Sequence, residues 1–512
     1  MNVLTLVIEA LDVLVVTYFG LYMLVNLGLL AISAVTVRRS LEEWQLSSEG
    51  TGLASSDDKF APLISLLVPA YNEEVTIVES VRSLMRLEYP AYEVVVVNDG
   101  SKDRTIQVMK EAFQLVRSDV DYNAHLGTSP VRGFYRATCA LPKQVVRLVL
   151  VDKENGGKAD ALNVGINASQ GTYVASMDAD SLMIPKALVH AVQPILDNPN
   201  EVIACGGQIA LSNGCIVADG KVLEARLPEP WIARFQVVEY MRSFTQSRVA
   251  LGQINSVLIL SGVFAVFQRE TVIAAGGFLS KHQRSRIVHE YTGEHSETVC
   301  EDMEVVVRVH RYLADHGLPG KIVFLPIATS WTEAPEIWKN LGKQRSRWYR
   351  GLWEVLWLHR GMMFNPRYGR VGLFALPYQL IFEALAPALE TVGYLIVPFS
   401  WLIGILSPFA MLAFIIFALS MNLLLSVGSV LVAIWRVRIE SRHKSQALFD
   451  YKGAKALFIL CFAGLISNLG YRQYLLYWQL KGLKDFLAGK KSWDKFARQG
   501  FAVAQKGTGG GQ

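Results

Sequence analysis

Long apolar segments flank a polar middle in this chain, and that distribution restricts what it can fold into. The first segment extends from Val3 to Val37, and about 20 such residues are enough for a helix to cross the core of a membrane. The second, from Gly372 to Trp435, is long enough for two crossings. It contains four prolines at which we expect kinks or breaks: Pro377, Pro387, Pro398 and Pro408. The sequence therefore predicts a soluble domain held between membrane helices.

Basic residues mark the ends of the apolar segments. Arg38 and Arg39 come directly after the first one, whereas a cleaved secretion signal has its positive charge before a shorter apolar core. Because cytoplasmic loops carry an excess of Lys and Arg, we expect the N-terminus outside and the polar middle in the cytoplasm.

Charge and cysteine content exclude some other functions. The net charge is only +5, and the Lys and Arg residues are not interleaved with aromatics as a nucleic-acid groove requires, so no nucleic-acid partner is expected. The five cysteines are odd in number and contain no CxxC pair, so we expect neither a disulfide framework nor a zinc site.

The C-terminal region permits more than one interpretation. Residues 454–470 are apolar but short, and the aromatic and basic residues after them suit an interfacial or re-entrant helix equally well. The basic tail Lys481–Arg498 fits either a surface resting on anionic lipid headgroups or a solvated helix. We divide the chain into a membrane helix (1–40), the soluble domain (58–350), an interfacial helix (351–370), about two membrane helices (371–435), and interfacial or re-entrant helices with the basic tail (454–500).

The soluble domain alternates apolar runs with helical spacing, which is typical of α/β proteins. The run Leu63–Pro69 is followed by a polar turn and a helical period, and three later runs repeat the arrangement: Tyr92–Val97, Val146–Val151 and Tyr173–Met177. Continuous apolar runs are typical of buried parallel strands, and ligands of such sheets bind beyond the carboxyl ends of the strands.

Polar motifs fall at those ends. Asn72 and Glu73 follow the first run and Asp99 the second, where they could accept hydrogen bonds from a uracil and a ribose, although each alone suits a turn or helix cap. In Gly156-Gly157-Lys158, the glycines permit close approach of a ligand and the lysine adds positive charge at a helix start. The Walker A spacing is absent.

Two carboxylates end the last of these runs. Asp178 and Asp180 are separated by one residue, so together they could hold a Mg²⁺ or Mn²⁺ ion that bridges two phosphates. Such a pair on an arbitrary loop is usually solvated, but its position after an apolar strand favours a metal site.

Together these motifs resemble those of family 2 glycosyltransferases, and within them the processive membrane synthases of cellulose, hyaluronan, chitin and poly-N-acetylglucosamine. The resemblance covers about Ala61–Gly351, in the segments Val68–Glu73, Val97–Ser101, Gly156–Asn163, Asp178–Asp180, Glu301–Asp302 and Gln344–Trp348. It implies a cytosolic GT-A type nucleotide-sugar domain with a mostly parallel sheet, flanked by transmembrane helices. It also implies a multi-pass protein of a bacterial-type inner (plasma) membrane.

The resemblance assigns roles to particular residues. Asp302 matches the general base, and Asp178 with Asp180 the site of Mg²⁺ or Mn²⁺. The donor-binding set is Asn72, Glu73, Asp99, Lys158, Asp178, Gln344, Arg347 and Trp348, and the acceptor set is Ser261, Gly262, Glu301 and Trp348. Other interpretations stay open: Glu301-Asp302 suits the start of a helix, Ser261-Gly262 a close-packed strand, and the QxxRW motif an interfacial anchor.

The predicted function is that of an inverting, UDP-sugar-dependent hexosyltransferase that extends a β-linked polysaccharide and helps to export it. One alternative is the addition of a single sugar to a lipid acceptor at the cytoplasmic face, and another is a silent subunit that binds nucleotide or polymer. The predicted partners are a UDP-sugar, a polysaccharide or lipid-linked acceptor, membrane lipids, and either accessory export subunits or a second copy of the chain. The polar segment 280–297 is a candidate lid, and residues 213–231 receive no assignment.

Overall fold

The computed structural model describes residues 3–48, 61–295, 297–442 and 454–490. Its strands are β1 (Ile64–Ala70), β2 (Tyr92–Asp99), β3 (Leu115–Arg117), β4 (Val131–Ala137), β5 (Val145–Lys153), β6 (Tyr173–Met177), β7 (Leu182–Met183), β8 (Val202–Leu211), β9 (Ile216–Ala218), β10 (Lys221–Glu224), β11 (Phe264–Gln268) and β12 (Lys321–Thr332). Over these residues, ten strands form one sheet in the order β3-β4-β5-β2-β1-β6-β11-β8-β12-β7, and β9 and β10 form a hairpin.

The helices enclose this sheet and extend beyond it. They are α1 (Val3–Ser48), α2 (Ile77–Leu84), α3 (Thr105–Phe113), α4 (Lys158–Ala168), α5 (Ala187–Asp197), α6 (Trp231–Met241), α7 (Val249–Gln253), α8 (Arg269–Ala274), α9 (Arg286–Thr292), α10 (Glu301–Asp315), α11 (Trp338–Leu358), α12 (Leu376–Tyr378), α13 (Ala386–Leu402), α14 (Pro408–Arg442), α15 (Ala454–Ile466) and α16 (Tyr471–Leu487). Stretches of π-helix lie at Arg242–Arg248, Val371–Ala375 and Gln379–Ala384.

The middle of the sheet is parallel and buried on both faces. β1 pairs in parallel with β2 and β6, and β2 pairs in parallel with β5. Successive residues of β1 face opposite sides, because Leu66 and Val68 pack in one apolar cluster and Leu67 in another. The predicted α/β fold with a mostly parallel sheet is therefore confirmed.

Two strands are longer than their apolar runs. β2 continues to Asp99 and β5 to Lys153, and these two residues are partners in the ladder. Their side chains form an ion pair, so opposite charges replace apolar packing at the ends of both strands.

Within the described ranges, three helical segments are long and apolar enough to cross a membrane: Val3–Arg39, Val371–Leu402 and Pro408–Ala433. Large apolar side chains on them are exposed, such as Leu395 at 70% and Phe409 at 82%. Because exposed apolar surface of this kind needs a lipid environment, the chain is a membrane protein. α15 and α16 form a fourth candidate bent by 57°, either a broken crossing or a re-entrant loop.

The predicted interfacial helix over 351–370 is not one helix. Residues 351–358 are the end of α11, and two 3-10 turns follow, at Arg360–Met362 and Pro366–Tyr368. Phe364 and Gly369 have positive φ angles, which no α-helix accommodates. The part of the predicted basic tail after residue 490 lies outside the described residues.

Candidate active site

One cavity of about 2090 Å³ collects most of the predicted site residues. Those that line it are Glu73, Asp99, Lys158, Asp178, Asp180, Ser261, Gly262, Glu301, Asp302, Gln344, Arg347 and Trp348. The first five lie at or just beyond the carboxyl ends of parallel strands, where such sheets bind ligands. The cavity continues between the membrane helices, where Tyr22 of α1, Glu390 of α13 and Asn422 of α14 line it.

Asn72 is the predicted site residue that does not line this cavity. It is exposed and has a φ of 55°, a left-handed conformation that asparagine tolerates. Its Oδ1 accepts a hydrogen bond from the Lys102 backbone nitrogen at 2.8 Å, and its own nitrogen donates to Ser101 Oγ at 3.0 Å. Asn72 thus joins the loops after β1 and β2, and its contact with a donor stays a prediction.

Asp99 holds the turn that carries the two glycines. The Gly156 nitrogen donates to its Oδ1 at 2.9 Å, and the Gly157 nitrogen donates to its Oδ2 at 2.8 Å. Glycine is required here: Gly157 has a φ of 91°, and a Cβ on Gly156 would lie 2.4 Å from Asp160 Oδ2. The carboxylate therefore shapes the start of α4, besides its predicted contact with the nucleoside.

A buried group of charges supports this turn. Lys153 Nζ lies 2.5 Å from Asp99 Oδ1 and 2.7 Å from Asp160 Oδ2, and all three side chains are buried. Burial raises the pKa of Asp160, but Lys153 and Ser129 outweigh it and the net pKa is lowered. His282 of the candidate lid reaches the same group, with its Nδ1 3.2 Å from Asp160 Oδ1. Sequence reasoning missed Lys153, although a charge that ends an apolar strand was a usable signal.

Lys158 connects two of the sequence motifs. As the first residue of α4, it places its Nζ 2.7 Å from Asp178 Oδ1 and 3.0 Å from Glu301 Oε1. Burial lowers the pKa of this amine, but Asp178, Glu301 and Asp302 outweigh burial, and the pKa is raised. A positive charge thus lies between the carboxylate that ends β6 and those that begin α10.

Asp302 lies beside this cluster. Its Oδ2 accepts a hydrogen bond from the Gly262 nitrogen at 3.2 Å. Burial and the neighbouring Glu301 raise the pKa of its carboxyl group to about 6, against the opposing charge of Lys158. A Cβ on Gly262 would lie 2.6 Å from Lys158 Nζ, so the glycine leaves room at the centre of the cluster.

Arg248 is a further charged residue of the cavity that sequence reasoning missed. It ends the π-helix Arg242–Arg248, and its guanidinium carbon lies 4.5 Å from the ring centroid of Phe244. Burial lowers its pKa to about 10, and the Asp302 charge acts in the opposite direction. The spacing of apolar residues could not have predicted that Arg248 lines the cavity, because a π-helix changes the spacing of side chains along the face of a helix.

Helix α11 brings the QxxRW motif to the cavity. In this chain the motif is Gln344-Arg345-Ser346-Arg347-Trp348, or QRSRW. Gln344 is buried, and no hydrogen-bond partner for its Oε1 is found in the part of the chain that the structure describes. The Arg345 guanidinium carbon lies 4.4 Å from the ring centroid of Trp348, and Arg345 Nη2 donates to Glu239 Oε2 at 2.5 Å. The motif thus presents an amide, a guanidinium and an indole to one space.

Comparisons with known proteins identify the family of the chain. Models of the families "Glycosyl transferase family 2" and "Glycosyltransferase like family 2" match residues 65–138 and 128–351, together more than half of the chain. The chain therefore belongs to the family 2 glycosyltransferases. It is similar to poly-beta-1,6-N-acetyl-D-glucosamine synthases.

Two of these relatives are from staphylococci. One, from Staphylococcus epidermidis, is 26% identical over 59% of this chain and 58% of its own length. Another, from Staphylococcus aureus strain COL, is 24% identical over 63% and 62%. The matches thus span less than two thirds of the relatives' lengths.

Solved structures resemble the chain only distantly. A mannosyltransferase from Pyrobaculum calidifontis, in complex with GDP-Man and Mn²⁺, is 17% identical, with a TM-score of 0.44 over 92% of this chain and all of its own. S. aureus TarS 1-349 in complex with UDP-GlcNAc is 15% identical, with a TM-score of 0.33 over 80% of this chain and 91% of its own.

Proposed function

We propose that the chain is an inverting membrane glycosyltransferase that transfers sugar from a UDP-sugar to a growing β-linked polysaccharide. The observation that carries this proposal is the cavity in which Lys158, Asp178 and Asp302 lie at one end and membrane helices form the other. A cavity that joins a transfer site to a space between membrane helices suits an enzyme that lengthens a polymer and passes it onward.

The proposed transfer uses Asp302 as the general base. The acceptor hydroxyl oxygen attacks C1 of the donor sugar and gives its proton to the Asp302 carboxylate, while the bond from C1 to the diphosphate breaks and UDP leaves. Attack opposite the diphosphate converts an α-linked donor into a β-linked product. Lys158 offers positive charge to the diphosphate, and the QRSRW motif offers hydrogen bonds and a ring on which the acceptor sugar can stack.

A divalent cation fits the residues present. Magnesium sites commonly use one or two carboxylates with substrate phosphates, and Asp178 and Asp180 supply two carboxylates beside the proposed diphosphate position. No group of three or more His, Cys, Asp or Glu side chains suited to a metal occurs among the described residues, so phosphate oxygens would complete the coordination. Bound there, Mg²⁺ or Mn²⁺ would neutralise charge on the leaving diphosphate.

The proposed orientation places this site in the cytoplasm. Arg38 and Arg39 follow the first apolar segment, and such charges favour the cytoplasmic side. UDP-sugars would then reach the site from the cytoplasm, and a multi-pass arrangement of the helical segments would lead the product outward.

A donor screen tests the proposed function. The protein, purified in detergent with Mn²⁺, is given a panel of UDP-sugars, and UDP release and product length are measured. The similarity to poly-beta-1,6-N-acetyl-D-glucosamine synthases makes UDP-N-acetylglucosamine the donor expected to give a polymer. A product that carries a single sugar on a lipid would instead favour the alternative of one addition per acceptor, and the absence of any transfer would contradict the proposal.

The rate of transfer should fall as the pH drops below about 6. Asp302 accepts a proton only when its carboxyl group is deprotonated, and its pKa is raised to about 6 by burial and by Glu301.

Arg248 lowers that pKa, so Arg248→Met should move the acid limb of the profile of kcat/KM to higher pH. Arg248→Lys is the control, because it keeps a positive charge. An acid limb at the same pH in Arg248→Met and wild type would show that Arg248 does not act on the base.

A further inference from the structure

A network of side chains beside Trp348 links it to helix α16. Arg345 stacks on the Trp348 ring and donates to Glu239 Oε2 of α6. Tyr471, the first residue of α16, donates its hydroxyl to the same oxygen at 2.9 Å. One carboxylate oxygen therefore joins α6, α11 and α16 beside the Trp348 ring, and Glu239, Arg345 and Tyr471 line the same cavity as the ring.

The side chains of this network are closely packed. Tyr471 is only 4% exposed, and its ring centroid lies 4.7 Å from that of Phe235 of α6. The Arg345 side chain is 10% exposed and the Glu239 side chain 32%, so their ion pair is partly shielded from water. Hydrogen bonds to charged groups in such surroundings are stronger than neutral ones.

Helices α11 and α16 pack closely beyond the network as well. A Cβ on Gly342 would lie 2.1 Å from Trp478 Cε2, and a Cβ on Gly482 would lie 2.5 Å from the Ser346 backbone oxygen. Each helix thus presents a glycine where the other needs space, one just before the QRSRW motif and one against Ser346 within it. α16 therefore supports the motif along its length.

Arg472, the next residue of α16, forms an ion pair with a residue of the membrane helix α13. Arg472 Nη2 lies 2.7 Å from Glu390 Oε2 of α13, and Arg472 Nε donates to the same carboxylate. Both residues line the part of the cavity between the membrane helices. The start of α16 is thus fixed to the transfer site on one side and to the membrane segment on the other.

We propose that Tyr471 is a positioning residue: through Glu239 and Arg345 it sets the orientation of the Trp348 ring against which the acceptor sugar lies. This rests on the proposed function for the identity of the acceptor. Without the Tyr471 hydroxyl, Glu239 loses one of the two donors that the described residues supply to it, and Arg345 is held less firmly over the ring. Trp348 then samples orientations in which the acceptor hydroxyl does not face Asp302, so the acceptor binds less productively while the donor site is unchanged.

The test compares Tyr471→Phe with Tyr474→Phe. Tyr474 lies on the same helix and donates its hydroxyl to the Trp338 backbone oxygen of α11 at 2.6 Å, so its removal deletes a bond between the same two helices outside the network. We expect Tyr471→Phe to raise the KM for a short oligosaccharide primer about threefold to tenfold, with the KM for the UDP-sugar unchanged. Product length should fall, whereas Tyr474→Phe should match wild type in all three measurements. Equal effects of the two variants, or a change in donor KM alone, would overturn the proposal.

Two further measurements separate this inference from the proposed function. Tyr471→Phe and Glu239→Gln should be strongly non-additive in primer KM, because both act through one oxygen; additive effects would contradict a shared network. Hydrogen exchange of the backbone around residues 344–348 should be faster in Tyr471→Phe than in wild type and unchanged in Tyr474→Phe. If the wild-type protein transfers no sugar, the proposed function fails, yet the exchange comparison still decides whether Tyr471 holds the motif.

Discussion

Replacing Asp302 with Asn should lower the rate of sugar transfer by about 10³-fold while UDP binding stays near that of the wild type. The amide has the shape of the carboxylate and can still accept the hydrogen bond that the Gly262 nitrogen donates, so the cavity should keep its form. It cannot take a proton from the acceptor hydroxyl. The rate is measured as UDP release with primer present, and UDP affinity is measured separately by calorimetry.

Glu301→Gln is the matched control for this variant. Glu301 precedes Asp302 in the same helix and lines the same cavity, but its carboxylate pairs with Lys158. We expect this change to weaken donor binding through Lys158 and to lower the rate at saturating donor far less than Asp302→Asn does. If Asp302→Asn turns over at the wild-type rate, Asp302 is not the base; if Glu301→Gln shows the larger loss, the two roles are exchanged.

The central sheet was predictable because buried parallel strands have continuous apolar sequences. The runs that contain Leu66 and Val94 are such sequences, and the structure pairs these two residues in β1 and β2. The polar ends were not predictable in the same way. Asp99 and Lys153 extend two strands because their charges pair across the ladder, and a hydrophobic pattern carries no information about a charge whose partner lies 54 positions away.

Much of the candidate site was available only from the family resemblance. Lys158, Asp178 and Glu301 are far apart in sequence, and nothing in their spacing says that one amine lies between the two carboxylates. The contacts that α16 makes with the site could not be predicted from the sequence at all. Tyr471 meets Glu239 across 232 positions, and this contact depends on how α16 packs after its bend from α15.

Replacing Asp178 with Asn should weaken Mn²⁺ binding by about 100-fold or more, and with it the binding of UDP that depends on the ion. Changes beside metal ligands already cost roughly 10- to 100-fold in affinity, so the loss of a ligand charge should cost at least as much. Mn²⁺ affinity is measured by electron paramagnetic resonance in the presence of UDP, and UDP affinity by calorimetry with Mn²⁺ and with a chelator. Asp180→Asn should give the same result while leaving the pair between Lys158 and Asp178 intact.

Lys158→Met separates the metal role of Asp178 from its ion pair. The Lys158 amine lies 2.7 Å from Asp178 Oδ1 and therefore competes with a cation for that carboxylate. Without the amine, Mn²⁺ should bind the free protein as tightly as in the wild type or more tightly, yet UDP should bind more weakly because positive charge near its diphosphate is lost. Asp178→Asn and Lys158→Met should thus act alike on UDP and differently on Mn²⁺. If the wild-type protein binds UDP as tightly with a chelator as with Mn²⁺, the ion has no part in holding the donor, and Asp178 serves only to hold Lys158.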